Sequence, residues 1–469
     1  MVFMKKLILL LPFFIFNASY SQIPHIKGTV ELDIEKGYFH CDFTLSNLPK
    51  LTEYKILLNH GMNIKFFKTN NTLISYNGYI NGEMKQEALE YFFIDTNGNQ
   101  IELPSEFTID YSGAFPVYSN TKNLFDFKGY IAINDKTLRA TEQSKWYPII
   151  YDEKNDRLIE SYTYEISIKN KKCESVFING NKPKKGKKVN LSSKKPVPLF
   201  LFVGKYDFIK KNENYLINVD LSQKSITDIF NNIQIIKDFY STLLKVDFND
   251  NIYIINHNAV KKMGTDYWGF NVYPSLGFSN LDFNELLSEK GLFKENYYKL
   301  FSHEFAHNYF GNSVNSGKLS WFWLESTAEY LSFLALENYT NSKNIDEYYE
   351  YYISNIKTKN FISLCNIISK NQIDDNYRYI LGPLIFKSFE ITFGKDKTIQ
   401  TLRTLLKKST KETLTIENWK TSASENGISE TEFDKFKNSF LCGEKFKKNI
   451  INLIENTNAN KVYKSLGSK

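Results

Sequence analysis

Leu300-Phe-Ser-His303-Glu304-Phe-Ala-His307-Asn-Tyr-Phe-Gly311-Asn312 places two histidines four residues apart, with a glutamate directly after the first. On an α-helix, residues at that spacing lie on one face a turn apart, so both imidazoles can reach a single metal ion. Glu304 then stands close to the same ion and can take a proton from a water whose acidity the metal has raised. Catalytic zinc usually has three protein ligands and one open position, so a third donor is required. The other four histidines, His25, His40, His60 and His257, all precede the pair, so no histidine after His307 can serve. Glycine at 310 with histidine at 313 would mark a different zinc pattern, but Phe310 and Ser313 stand there. The third ligand is therefore expected to be a carboxylate.

Candidates follow in Ser320-Trp-Phe-Trp-Leu-Glu325-Ser-Thr-Ala-Glu329-Tyr-Leu, which reads as a second amphipathic helix after a polar, glycine-containing loop at 311–319. Glu325 and Glu329 are four apart and share a face, while Trp321, Leu324, Ala328 and Leu331 are free to pack. One carboxylate can bind zinc and the other can orient a ligand imidazole. Spacing alone leaves open which does which.

His303-Glu304-Phe-Ala-His307-Asn-Tyr-Phe-Gly-Asn, followed by Trp-Leu-Glu325-Ser-Thr-Ala-Glu329-Tyr, resembles the aminopeptidase N family of gluzincin zinc peptidases. That family separates its second histidine from the glutamate ligand by eighteen residues; here the interval is seventeen. The resemblance implies His303, His307 and Glu325 as ligands of one Zn2+ per chain, Glu304 as general base and Glu329 as the residue that orients an imidazole. It also covers Trp146-Tyr-Pro148 and Val197-Pro-Leu-Phe-Leu-Phe-Val-Gly204, which look like the family's passage from a β domain into a thermolysin-like catalytic domain. Tyr379-Ile-Leu-Gly382-Pro resembles the family's Tyr-x-Lys-Gly-Ala motif, whose tyrosine stabilises the oxyanion. Chemistry supports the same role, because peptide hydrolysis builds charge on the carbonyl oxygen and a donor must meet it. One motif departs. Family aminopeptidases carry Gly-x-Met-Glu-Asn about thirty residues before the zinc motif, with its glutamate on the substrate amine. The corresponding Trp268-Gly-Phe-Asn-Val-Tyr-Pro-Ser-Leu-Gly-Phe-Ser-Asn280 holds no glutamate, and the nearby acids Asp266, Glu285 and Glu289 lack the motif's context. The expected function is hydrolysis of peptide or protein substrates by a metallopeptidase, aminopeptidase-like or acting on capped or internal bonds. A binding protein that keeps zinc for structure is the reading of another class, and it would have no need of Glu304.

The rest of the chain frames this segment. At 469 residues it is long enough for two domains, and 42% hydrophobic with 16% aromatic residues is a globular composition. The first 21 residues read as a signal peptide: Lys5 and Lys6, an apolar run at 7–16 interrupted by Pro12, then small residues up to Ser21. Ten apolar residues are too few to span a bilayer, so an exported chain without a stable membrane anchor is expected. The net charge of +7 rests on lysine, with only four arginines. Arginine reads bases and phosphates bidentately, so its scarcity argues against nucleic acid as a partner. Four cysteines allow three pairings, and one bridge within each half, Cys41–Cys173 and Cys365–Cys442, is the expectation if bridges form.

Residues 26–169 alternate with period two, as in Phe39-His-Cys-Asp-Phe-Thr-Leu45, between Asn, Gly and Asp clusters. That predicts an antiparallel β domain over 22–195. Lys182-Pro183-Lys184-Lys185-Gly186-Lys187-Lys188 and Lys194-Lys195-Pro196 read as a solvated linker or hairpin tip closing it. Strands are expected at 199–203 and 251–255, an amphipathic helix at 225–244, and helices from Asn296 onward. The fold class is therefore α+β and multidomain: a thermolysin-like catalytic domain at 196–455, α/β at its start and all-α afterwards, ends in a polar tail at 456–469.

Overall fold

A computed structural model describes residues 23–79, 88–118, 126–257, 267–340 and 344–466. The expected signal peptide, and Asp266, lie outside the described residues.

Three sheets build the first half. The largest has seven strands in the order Lys188–Pro198, Ser161–Lys171, His25–Asp33, Tyr38–Ser46, Phe107–Ala114, Met62–Thr69 and Thr72–Leu73. Alternation decides its inner face: Phe39, Cys41, Phe43 and Leu45 are buried while Tyr38 and Asp42 are exposed. Pairing is mostly antiparallel, as the patterning predicts. In this sheet the exception is His25–Asp33, which runs parallel to Ser161–Lys171, a pairing between segments far apart in sequence that periodicity does not encode.

The lysine-rich passage turns only at 186–187, between the short strand Lys184–Lys185 and a longer one, and its second part is not a linker. Lys188–Pro198 is the edge strand of the large sheet, burying Val189, Leu191 and Ser193 and turning Lys188, Lys194 and Lys195 to solvent. Lysines on an edge strand keep other chains from adding to it. The strand expected at 199–203 forms as Leu201–Gly204 and pairs with Thr137–Ala140 and Ser175–Ile178. The sheets of the first half thus run past the division expected at 195/196.

A fourth sheet opens the second half, in the order Phe208–Lys211, Asn214–Ile217, Tyr253–His257, Ser275–Ser279 and Trp268–Val272, the last an edge. The helix Gln223–Leu244, capped by Ser222 accepting from the Ser225 amide, packs Ile229, Ile233, Ile236 and Tyr240 into the core beside it. From Glu295–Ala306 onward the described residues form helices and turns. The expected polar tail is helical as far as Leu466, since Phe446–Leu466 is one helix anchored by buried Ile450 and Ile454 ahead of the tail. Its i, i+4 apolar spacing outweighs the polar residues between.

Cys365 and Cys442 are bridged, as expected; Cys41 and Cys173 are not. Both are buried, Cys41 on the inward face of Tyr38–Ser46 and Cys173 beyond the end of Ser161–Lys171, where each acts as a small apolar side chain. No helix among the described residues is long and apolar enough to cross a membrane.

Candidate metal centre

The helix Glu295–Ala306 buries Tyr298, Phe301 and Phe305 against the second-half core. That packing sets the rotation of the helix, and His303 and Glu304 come to lie at its inner end with His307 at its C-cap. The two imidazoles bring Nε2 to Nε2 at 3.2 Å. Glu325 stands on a π-helical turn, Phe322–Ser326, that leads into the helix Thr327–Thr340. Its Oε2 lies 3.4 Å from Nε2 of His303 and 3.4 Å from Nε2 of His307. Three donors on a tetrahedral zinc, with bonds near 2.1 Å, sit roughly 3.3–3.5 Å from one another. The observed triangle fits that requirement in size and in donor type, and it is the one such His/Cys/Asp/Glu group among the described residues.

Each imidazole is fixed from its far side. His303 Nδ1 is 2.8 Å from Glu329 Oε2, and His307 Nδ1 is 3.3 Å from the carbonyl of Phe310. Such contacts leave Nε2 free to face a metal. Geometry therefore divides the two glutamates: Glu325 reaches the Nε2 pair and Glu329 the outer nitrogen of His303. Lys299 and Tyr352 both donate to Glu329 Oε1. Lys299 was legible in principle, one turn before His303 on the same face. Tyr352 arrives from the Asn344–Lys357 helix and has no local signal.

Electrostatics match. Burial opposes ionisation of Glu325, but His307 and His303 hold its carboxyl well below the usual range. Burial likewise opposes ionisation of Glu329, and Lys299 and His303 overcome it. Burial disfavours the His303 imidazolium, yet hydrogen bonds to Glu325 and Glu329 raise its pKa to about 10. The cluster is built around positive charge.

Glu304 does not join the triangle. Its carboxylate rests on the edge strand Trp268–Val272, where a Cβ on Gly269 would lie 2.7 Å from Oε1 and 2.9 Å from Cγ. Only glycine leaves that space. Asn271, two residues along the same strand face, donates to the backbone carbonyl of Glu304 (3.2 Å) and to Asn308 Oδ1 (3.0 Å). Burial raises the Glu304 pKa, the two histidines pull it back, and Glu325 adds to the rise. Its position suits proton acceptance.

Tyr379 sits on another π-helical turn, Tyr377–Leu381, with its ring centroid 5.9 Å from that of His303. Gly382 makes the approach feasible, since a Cβ there would lie 1.8 Å from Ser326 Oγ, which donates to the carbonyl of Arg378 (2.9 Å). The turns carrying Glu325 and Tyr379 are thus pressed together at a glycine. Desolvation and then the Glu325 charge push the Tyr379 hydroxyl well above its usual pKa, so it remains a donor. Glu285 and Glu289 are exposed, and no carboxylate side chain stands on Trp268–Val272 or Ser275–Ser279.

No protein-family model matches the chain, and no curated protein matches it. Solved structures do. An M1 zinc metallopeptidase variant from Deinococcus radiodurans, bound to a Tyr-Ser-Ala substrate, superposes with a TM-score of 0.61 over 89% of this chain and 93% of that one, at 10% identity. Native yeast LTA4 hydrolase gives 0.63 over 89% of this chain and 67% of that one, at 12% identity. At such identity the likeness is one of fold: this chain shares with M1 zinc metallopeptidases and LTA4 hydrolase the arrangement of a multi-sheet β-rich first part and a helical second part.

Proposed function

We propose that this chain is an exported zinc-dependent peptidase of the aminopeptidase N kind, holding one Zn2+ between His303, His307 and Glu325. The observation that carries the proposal is the near-equilateral set of donor atoms with a non-ligating carboxylate, Glu304, beside it. Zinc held there supplies Lewis acidity, which acidifies water and polarises a carbonyl. Glu304 accepts the proton of the attacking water and passes it to the departing amine. Tyr379 donates to the carbonyl oxygen as charge develops on it. Glu329 keeps His303 turned toward the metal, and the free side of the edge strand Trp268–Val272 offers backbone groups to an extended peptide. A tripeptide on one structural neighbour supports peptide as the substrate class.

No acidic side chain stands on the strands lining Glu304, and the Lys128 ammonium that Glu304 feels from the β half is itself paired with the buried carboxylate of Glu142. This favours hydrolysis that does not depend on a free N-terminus, including of capped peptides. The deciding comparison is wild type against Glu304→Gln for zinc content and peptide turnover. The variant should keep about one zinc per chain and lose turnover. Equal zinc with no turnover in either protein would instead indicate a binding protein with a structural metal.

A further inference from the structure

The Trp268–Val272 strand has two faces, and strand periodicity separates them cleanly. Gly269 and Asn271 face the zinc-motif helix, where they meet Glu304. Trp268 and Phe270 face the first half, where both rings lie over the guanidinium of Arg139, at 5.2 and 5.3 Å from Cζ. Arg139 belongs to the Thr137–Ala140 strand and is fully buried. Its two terminal nitrogens bind Asp126 (2.6 and 3.3 Å), and one also reaches the carbonyl of Phe127 (2.9 Å). Asp126 in turn accepts from Ser279 Oγ at 2.8 Å. Ser279 is the residue paired with Trp268 across the hairpin. Both strands of the hairpin under Glu304 are therefore gripped from behind by one buried ion pair of the β half.

We infer that Arg139 and Asp126 are positioning residues for Glu304, acting through the Trp268–Val272 strand. A planar guanidinium, stacked on two rings and forked onto a carboxylate, has few alternative placements. Buried pairs add little net stability but tolerate one geometry. Glu304 has little room to follow an error in the strand, because even a methyl group at Gly269 would collide with its carboxylate. None of the zinc ligands stands on the clamped hairpin: His303 and His307 lie on Glu295–Ala306 and at its C-cap, and Glu325 on Phe322–Ser326, so the clamp acts first on the Glu304 carboxylate that meets the strand at Gly269.

This inference rests on the proposed peptidase activity for its kinetic test and on the fold alone for its second test. Arg139→Met by itself strands Asp126, so the charge-neutral pair Arg139→Met/Asp126→Leu and the milder Ser279→Ala carry the experiment. In folded protein with wild-type zinc content, the pair should lower kcat by about ten- to a hundredfold with KM within about twofold, as small misplacements of a reacting group do. Gly269→Ala, which displaces the Glu304 carboxylate directly, should show the same pattern, and combining it with the pair should add little. Backbone amides of Trp268–Val272 should exchange with solvent faster in the pair variant. Unchanged kcat, or losses that multiply with Gly269→Ala, would overturn the role. If wild type turns over no peptide, the proposed activity fails by itself. Amide exchange then decides the clamp, and unaltered protection in the pair variant overturns it.

Discussion

At the scale of single residues, three side chains carry separable parts of the proposed chemistry. Glu325 reaches both Nε2 atoms, whereas Glu329 touches only the outer nitrogen of His303. Glu325→Ala should abolish stable zinc binding, and Glu329→Ala should weaken it by about ten- to a hundredfold, the usual effect of removing a residue that orients a ligand. Competition with a chelator of known affinity measures both, and the reverse ranking would make Glu329 the ligand. Tyr379 touches no ligand by hydrogen bond and its hydroxyl stays protonated. Tyr379→Phe should therefore lower kcat by roughly ten- to a thousandfold with little change in KM, the signature of an interaction made mainly in the transition state. An unaltered kcat would leave Tyr379 as a packing residue.

Among elements, the site depends on irregular helix. Glu325 and Tyr379 both sit on π-helical turns, a form that recurs at functional positions because its extra residue re-aims a side chain. The two turns meet at Gly382 against Ser326. Gly382→Ala places a methyl group inside the contact distance of Ser326 Oγ, so it should cost about 1–3 kcal/mol as an overpacked core does and lower kcat by shifting Tyr379. Gly382→Ala combined with Ser326→Gly, which vacates that space, should recover most of the loss in thermal unfolding and activity. Farther out, Cys365–Cys442 ties the turn at Leu364–Asn366 to the π-helical segment Lys437–Cys442, across 77 residues. By loop-closure entropy a loop of that length implies roughly 4.5 kcal/mol of stabilisation. Melting Cys365→Ser/Cys442→Ser against the oxidised wild type measures it, and equal midpoints would remove the bridge from the account.

For the whole molecule, the question is what the cleft accepts. A free α-amine is mostly charged near neutral pH, and closing it into a site without a carboxylate partner costs several kcal/mol. The lining strands present Gly269, Asn271 and no acid. Acetylating the N-terminus of a peptide substrate should then change kcat/KM by less than about tenfold, under about 1.4 kcal/mol. Mass spectrometry of products from paired free and acetylated peptides reads this directly. A thousandfold loss would mean that an acid elsewhere in the fold anchors the amine, and Asp266→Asn would be the first variant to make.

The candidate metal ligands His303 and His307 were legible in the sequence because a helix converts spacing into geometry: positions 303 and 307 share a face whatever surrounds them. The same local logic found the alternating strands, the Gln223–Leu244 helix and the Glu325/Glu329 pair. It could not divide that pair, because the choice depends on a π-helical turn and on Lys299 and Tyr352 claiming Glu329. Nor could it show that the lysine-rich passage is an edge strand, that the tail is helical, or that Cys41 and Cys173 stay apart, since each outcome is set by partners distant in sequence. The role of Gly269 belongs to this second class. Nothing near it in sequence hints at Glu304, and its value appears only when the strand and the helix are brought within a methyl's width of each other. Periodicity records which face a residue takes; only close packing decides what that face meets.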